Sequence, residues 1–207
     1  MPAVSTPAKR LLTFLVRFAL VAGILVSPWP GLEERYADTL RRTAQSIFDG
    51  DGSKWVVLFK PTSDPHLDTT IYIGNRKQAA PDGKLSAAQI SFTSRYVGYL
   101  PTVLLAALVM ATPLPWKRRF FALLWGLLSM HLFLGLLMLI MILNQCSQFP
   151  AMNLVHLGPF QEQVVHSTYD VFIHHLGARL AVPVLLWILI CFRRDDLERI
   201  LGVGIPR

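Results

Sequence analysis

The sequence predicts a mainly α-helical membrane protein, with four transmembrane helices and a small α+β domain between the first two. Composition is the first reason, because the 207-residue chain is 53% hydrophobic and 16% charged, with a mean hydropathy of +0.43. A typical soluble domain has about 25% charged residues. The second reason is a set of long uncharged stretches, and the third is that basic residues flank those stretches.

Four apolar stretches account for the predicted spans. A bilayer core takes about 20 apolar residues of helix, within a range of about 17 to 25. Residues 120–143 meet this length without a charge, whereas 99–116 are short and carry prolines near their ends. The last span must begin near His174, which puts Arg179 at the headgroup edge, where its long side chain can snorkel. The first stretch lacks a small-x-small cleavage site, which favours an uncleaved signal anchor over a cleaved signal peptide.

Lys and Arg next to the spans predict the orientation by the positive-inside rule. With the N-terminus inside, the predicted cytoplasmic segments, together with Arg17 of the first span, hold ten of the twenty Lys and Arg and three of the thirteen Asp and Glu. The whole net charge of +7 is then a topology signal, and no nucleic-acid partner is expected. Both termini are predicted to be cytoplasmic, in the inner membrane of a bacterium.

The predicted segments follow from these spans. They are a cytoplasmic N-terminus (1–10), a signal anchor (11–28), a periplasmic helix with a three-stranded sheet (29–98), a second span (99–116), a cytoplasmic basic hairpin (117–119), a third span (120–143), a periplasmic segment (144–173), a fourth span (174–192) and a cytoplasmic tail (193–207).

The long outside segment shows helical and then strand-like periodicity. Apolar residues of "LEERYADTLRRTAQSIF" fall on one helical face, which comprises Leu32, Tyr36, Leu40, Ala44 and Ile47. Three strand-like runs follow, at 54–60, 68–74 and 86–96, and turn sequences separate them. The second run places Thr69, Ile71 and Ile73 on one face, and the third alternates through Ala88, Ile90 and Phe92.

Candidate chemistry concentrates in the second outside segment. A helical pattern from about residue 160 puts His166, Asp170 and His174 at i, i+4 and i+8 on one face. This stripe could bind a divalent metal or orient an imidazole as a general base, and it also fits a polar helix face at the water interface. No complete set of metal ligands is visible, so no cofactor or metal is expected.

The two cysteines and the histidine within the third predicted span each allow more than one interpretation. Cys146, on the outside, could pair with His166, His174 or His175 as a thiolate nucleophile, or be a free cysteine at a helix end. Cys191 is predicted near the opposite membrane face, so a disulfide between the two is not expected. His131, inside the third span, favours a neutral imidazole bonded to a backbone carbonyl, because no span contains an acidic partner.

A family resemblance rests on two phrases. "FTSRYVGYLPTVLLAALVMATPLPWKRRFFALLWGLL" enters a span, makes a short basic hairpin and returns, and "HHLGARLAVPVLLWIL" enters again from outside. Over 92–143 and 174–190 the chain resembles the exosortase/archaeosortase superfamily, and looks closest to the small membrane proteins that accompany exosortase H. The resemblance implies a helical membrane scaffold that works on proteins with a C-terminal sorting signal.

The resemblance also implies an outward cysteine, arginine and histidine as catalytic groups. Where the family has its cysteine, this chain has Ser94 beside Arg95, and Asn144 stands without the family's following arginine. His174 or His175 matches the histidine. Two of three catalytic elements are missing, so a non-catalytic accessory is expected, with Ser94, Arg95, His166, Asp170, His174, His175 and Arg179 as a possible interaction lip. Its expected partners are the bilayer, an exosortase and its sorting-signal substrate; the alternative is a membrane cysteine transpeptidase or protease that uses Cys146 with an outside histidine.

Overall fold

A computed structural model describes residues 7–27, 29, 31–49, 55–62, 64, 66–79, 85–149, 155 and 157–192. The elements in chain order are α1 (Pro7–Val26), α2 (Leu32–Phe48), β1 (Trp55–Pro61), β2 (Thr69–Ala79), β3 (Leu85–Phe92), a first π-helical turn (Arg95–Tyr99), α3 (Leu100–Ala111), α4 (Trp116–Gln148), α5 (Pro159–Tyr169), a second π-helical turn (Asp170–His174) and α6 (Leu176–Cys191). The described residues are therefore mostly helical, with one small sheet.

The chain forms two compact units, which are described separately. The first contains α1, α3, the start of α4 up to residue 132, and α6 from residue 180. The second contains α2, the sheet, the first π-helical turn, the rest of α4, α5 and the second π-helical turn. The candidate residues Ser94, Arg95, Cys146 and Arg179 all belong to the second unit, as do the histidines of the predicted stripe.

The sheet of the second unit is antiparallel with strand order β1–β2–β3. Val57, Ile73 and Ala88 lie side by side across the three strands, and all three are buried. The neighbouring residues in each strand face the other way: Leu58 is 37% exposed. The predicted helix and three strands are thus confirmed, and the predicted face of β2 is buried, since successive side chains of a strand point to opposite faces. Thr70, on the other face of β2, is buried as well.

Helix α2 supports the open edge of the sheet. The amide of Gln45 donates to the carbonyl of Val57 over 3.0 Å, and its oxygen accepts from the N–H of Phe59 over 2.9 Å. An unpaired edge strand exposes such groups, so this side chain substitutes for a missing fourth strand. Ala37 and Ala44 are buried, but Ile47, which was predicted on the covered face, is 64% exposed.

Strand β3 is shorter than the sequence pattern predicts. It ends at Phe92, and the chain is helical from Ser94 onwards rather than extended to residue 96. The carboxylate of Asp68 accepts the backbone N–H of Ser94 at 3.0 and 2.8 Å, through its two oxygens. A carboxylate at a helix N-terminus satisfies free N–H groups and favours helix there.

The first unit packs its helices closely. At Gly126 of α4, an added Cβ would lie 3.3 Å from Leu105 of α3 and 3.7 Å from Ile190 of α6. Arg118 donates to the carbonyl of Cys191 over 2.7 Å, and Arg119 donates to that of Thr112 over 3.1 Å. Two residues of the predicted basic hairpin therefore cap the C-terminal ends of α6 and α3, where cations are favourable.

Helix boundaries differ from the predicted spans. Pro113 and Pro115 fall in the non-helical link between α3 and α4, because proline disfavours helix at the residue before it. The hairpin 117–119 belongs to the first turn of α4, which continues beyond residue 143 to Gln148. The last helix begins at Leu176 instead of residue 174. The predicted cytoplasmic tail and residues 1–6 of the N-terminus lie outside the described residues.

One described helix, α4, is by itself long and apolar enough to cross a membrane. The pair Pro159–His174 and Leu176–Cys191, broken at residue 175, would add a second if it formed one span. The apolar helices Leu11–Val26 and Arg95–Ala111 are shorter. Four spans therefore remain a prediction. At about 1.5 Å per residue, the 33 residues of α4 exceed a bilayer core of about 30 Å, so its ends would project.

Candidate functional site

Ser94 is a buried structural residue, at 1% exposure. Its hydroxyl donates to Asp68 over 2.7 Å and lies 3.1 Å from the hydroxyl of Thr69, which also donates to Asp68. Arg41 donates to the Asp68 carbonyl over 2.7 Å. Each of these groups already has partners, so Ser94 is held in a closed hydrogen-bond network. The sequence analysis singled out Ser94 and missed Asp68, whose only local signal was its position at the start of a strand.

Arg95 pairs with an acidic residue. Its Nη1 lies 2.6 Å from a carboxylate oxygen of Glu33 in the first turn of α2. Both side chains are partly exposed, so the pair contributes at most about 1 kcal/mol. Next to it, the rings of Tyr36 and Tyr99 meet edge to face with centroids 5.4 Å apart. Arg95 thus ties the first π-helical turn to α2, and its charge is already balanced.

Arg179 is the most buried charged residue among the described part of the chain, at 9% exposure. Its Nη1 donates to the carbonyl of Tyr96 over a long 3.4 Å, and its buried Nε finds no hydrogen-bond partner among the residues described. The sequence predicts that this long side chain reaches out to the headgroup edge. Its burial against other parts of the protein was not predicted. No acidic residue occupies the first turn of α6, to which Arg179 belongs.

The predicted His–Asp–His stripe is brought together by the helical spacing. His166 Nε2 lies 3.5 Å from one oxygen of Asp170, and His174 Nε2 lies 3.8 Å from the other. The three side chains are 59%, 63% and 49% exposed for His166, His174 and Asp170 respectively. Exposed pairs of this kind are weak. Burial raises the pKa of the adjacent Tyr169 phenol, and the Asp170 charge adds to the rise.

A second contact reaches the stripe from α4. His166 Nδ1 lies 3.4 Å from the side-chain oxygen of Asn144, which is only 2% exposed. In the sequence, Asn144 was of interest only because it stands where the exosortase family has an asparagine followed by an arginine. Within the described residues, no group of three or more His, Cys, Asp or Glu is arranged to hold a metal ion. His156, another histidine of this segment, lies outside the described residues.

His175 marks the break between the second π-helical turn and α6. Its backbone leaves the helical region, with φ −106° and ψ 101°, while its carbonyl accepts the N–H of Ala178 over 3.1 Å. The side chain is exposed. His175 therefore starts α6 through its backbone, and its imidazole stays available to solvent or a partner.

Cys146 is buried at 4% exposure and is not oxidised to a disulfide. It lies in the last turn of α4, beyond the uncharged stretch 120–143, and burial raises the pKa of its thiol to about 11. Residues two apart point to different sides of a helix, so Cys146 is directed away from the Asn144 side chain that contacts His166. The geometry thus holds a thiol rather than a thiolate.

His131 is exposed in the middle of α4, and its Nδ1 lies 2.7 Å from the carbonyl of Leu127. This is the contact with a backbone carbonyl that the sequence predicts for His131. No protein-family model matches the chain, and neither does any curated protein or solved structure.

Proposed function

We propose that this protein is a multi-pass inner-membrane protein that acts as a non-catalytic accessory to an exosortase-type enzyme. In this proposal, the helix-and-sheet region and the polar residues around α6 face the periplasm, where they help to present exported proteins that carry C-terminal sorting signals. The resemblance over 92–143 and 174–190 supports the scaffold and the pathway. The apolar α4 supports membrane insertion.

The buried, protonated thiol of Cys146 is the observation that supports a non-catalytic role. A cysteine nucleophile must be a thiolate at neutral pH, which requires a nearby cation, an imidazole or a helix N-terminus. Cys146 has the opposite surroundings, since it is 4% exposed at a helix C-terminal end and its pKa is raised to about 11. At pH 7 a thiol with that pKa is about one part in ten thousand thiolate.

The polar lip supports an interaction role in preference to a hydrolytic one. His174 and His175 are exposed, as are parts of Arg95 and Asp170, so these side chains can contact a partner. His174 is adjacent to Asp170 and to the ring of Tyr169, at a centroid distance of 5.6 Å. None of them is joined by a hydrogen bond to a serine or cysteine within the described residues, as a nucleophile and its base would be.

Substrate processing in cells tests this proposal. Cells whose only copy carries Cys146→Ser should process a C-terminally signalled protein at nearly the normal rate, while deletion of the gene should reduce processing. His175→Gln should weaken association with the exosortase modestly and leave abundance unchanged. Leu58→Gln, on the outer face of the sheet, serves as a surface control.

Two outcomes would contradict the proposal in different ways. If Cys146→Ser and His175→Gln each abolish processing while both proteins remain abundant, Cys146 is a nucleophile and the cysteine-enzyme alternative holds. If deletion leaves processing unchanged and no exosortase co-purifies, the accessory role itself is wrong.

A further inference from the structure

The first turn of α6 holds a positive charge that has no counter-ion among the described residues. Arg179 is 9% exposed; in the described part of the chain, its buried Nε has no hydrogen-bond partner and its Nη1 reaches only the carbonyl of Tyr96, at 3.4 Å. Within the described residues, no carboxylate forms an ion pair with it. Glu33, which pairs at 2.6 Å with Arg95, the sequence neighbour of Tyr96, is already engaged.

The position of Arg179 near the N-terminal end of α6 adds to the unbalanced positive charge. The N-terminal end of a helix carries a partial positive charge and N–H groups without intrahelical partners, so an anion is favoured there and a cation is not. The first turn of α6 contains no acidic residue that would offset it. Helical side chains also lean toward the N-terminus, which is the side of those N–H groups; among them, the N–H of Ala178 already donates to the carbonyl of His175.

A buried charge without a partner is strongly unfavourable, and natural proteins pair such charges or hydrogen-bond them fully. Arg179 meets neither condition with the residues that the structure describes. Its planar fork of donors suits an oxyanion with two or three oxygens, and phosphate fits it especially well. The N–H groups of a helix N-terminus favour the same ligand.

We propose that Arg179 and the N-terminal turn of α6 form a phosphate-binding site. The ligand class is a phosphate oxyanion, supplied either by a phospholipid headgroup or by a free phosphate compound. The phospholipid source rests on the proposed function, because it needs this end of α6 at a membrane surface. The free-phosphate source does not. Arg95 is outside the site, because Glu33 balances it.

Thermal unfolding of the purified full chain in a phosphorus-free maltoside detergent tests the site. One arm adds inorganic phosphate, with sodium chloride at equal ionic strength as its reference. The other adds phosphatidylglycerol, with a phosphate-free galactolipid as its reference. A ligand that binds only the folded state raises the unfolding midpoint in proportion to its occupancy. Tryptophan fluorescence reports the transition.

The wild type should respond to at least one phosphate probe above its reference. Arg179→Gln should weaken the apparent affinity by roughly tenfold or more, since it removes the charge and the fork. Arg42→Gln removes an equal charge from an exposed position on α2 and should leave the response unchanged. Arg179→Lys keeps the charge but lacks the planar guanidinium, so its affinity for phosphate should lie between those of the wild type and Arg179→Gln. If Arg179→Gln does not fold, Arg179→Lys is the variant that tests the site.

The possible outcomes distinguish a lipid headgroup from a free phosphate compound, and both from a purely structural role of Arg179. A response to phosphatidylglycerol alone identifies a headgroup, and a response to inorganic phosphate identifies a free ligand. If neither probe exceeds its reference, or if both Arg179 variants respond like the wild type, Arg179 is only a packing residue and the site does not exist. Cell fractionation tests the proposed function separately from the phosphate site. A protein found outside the membrane fraction contradicts the proposed function, whereas the response to inorganic phosphate still decides whether the site exists.

Discussion

Asp68 accepts hydrogen bonds from both the backbone N–H and the hydroxyl of Ser94, so one carboxylate joins the start of β2 to the start of the helical chain after β3. Ser94 and Thr69 are each 1% exposed. Buried donors that lose their acceptor keep the cost of leaving water, which makes this carboxylate more important than an exposed one.

Replacing Asp68 with alanine should therefore destabilise the fold. The buried donors of Ser94 would lose their acceptor, and we expect a loss of about 2 to 4 kcal/mol in the free energy of unfolding. Urea unfolding of the purified protein in maltoside measures it. Asp64→Ala is the matched control, because Asp64 accepts one exposed N–H, that of His66. Equal losses for the two variants would contradict the assigned role.

The thiol of Cys146 should react slowly at neutral pH. Its pKa is raised to about 11, so the reactive thiolate forms only as the pH rises through that value. In a Cys191→Ser background, maleimide labelling at pH 7 should be about a hundredfold slower than for the unfolded chain, and should accelerate between about pH 9 and 11. The rate in urea provides the unfolded reference. Rapid labelling of the folded protein at pH 7 would show a depressed pKa and support the enzyme alternative.

At the scale of elements, the sequence pattern predicted those features that depend on local periodicity. Alternation located three strands and the covered face of β2, and the i, i+4 spacing placed His166 and His174 on either side of Asp170. Non-local contacts were not visible. The end of β3 depends on Asp68, 26 residues before Ser94, and the burial of Arg179 depends on a contact 83 residues away.

The contact between α2 and the first π-helical turn leaves no room for a side chain at Gly98. An added Cβ would lie 2.5 Å from the hydroxyl oxygen of Tyr36 and 3.3 Å from two of its ring carbons. Gly98→Ala should lower the free energy of unfolding by about 1 to 3 kcal/mol. Gly177→Ala is the control, since an added Cβ there meets nothing within 4 Å.

Adding Tyr36→Phe to Gly98→Ala tests the cause. Removing the hydroxyl opens the closest contact, so the double variant should lose less stability than the sum of the single losses. Strictly additive losses would mean that the Tyr36 hydroxyl is not what excludes a side chain from position 98.

At the scale of the whole molecule, charge and hydropathy predict which parts face which side of a membrane. The outside face should carry the sheet and α5, and the cytoplasmic face should carry the start of α4. The predicted cytoplasmic segments together with Arg17 of the signal anchor account for the net charge of +7, and α4 is long enough to cross with both ends projecting. In this predicted orientation, the lip residues would lie in the periplasm, as the proposed function requires.

Cysteine labelling in intact cells tests that orientation most directly. In a Cys146→Ser, Cys191→Ser background, single cysteines replace exposed Gln89 of β3, Gln161 of α5 and Lys117 of α4. A membrane-impermeant maleimide that reaches the periplasm should label Gln89→Cys and Gln161→Cys in intact cells, and Lys117→Cys only after lysis. Labelling of Lys117→Cys in intact cells, with the other two protected until lysis, would reverse the topology and contradict a role in handling exported proteins.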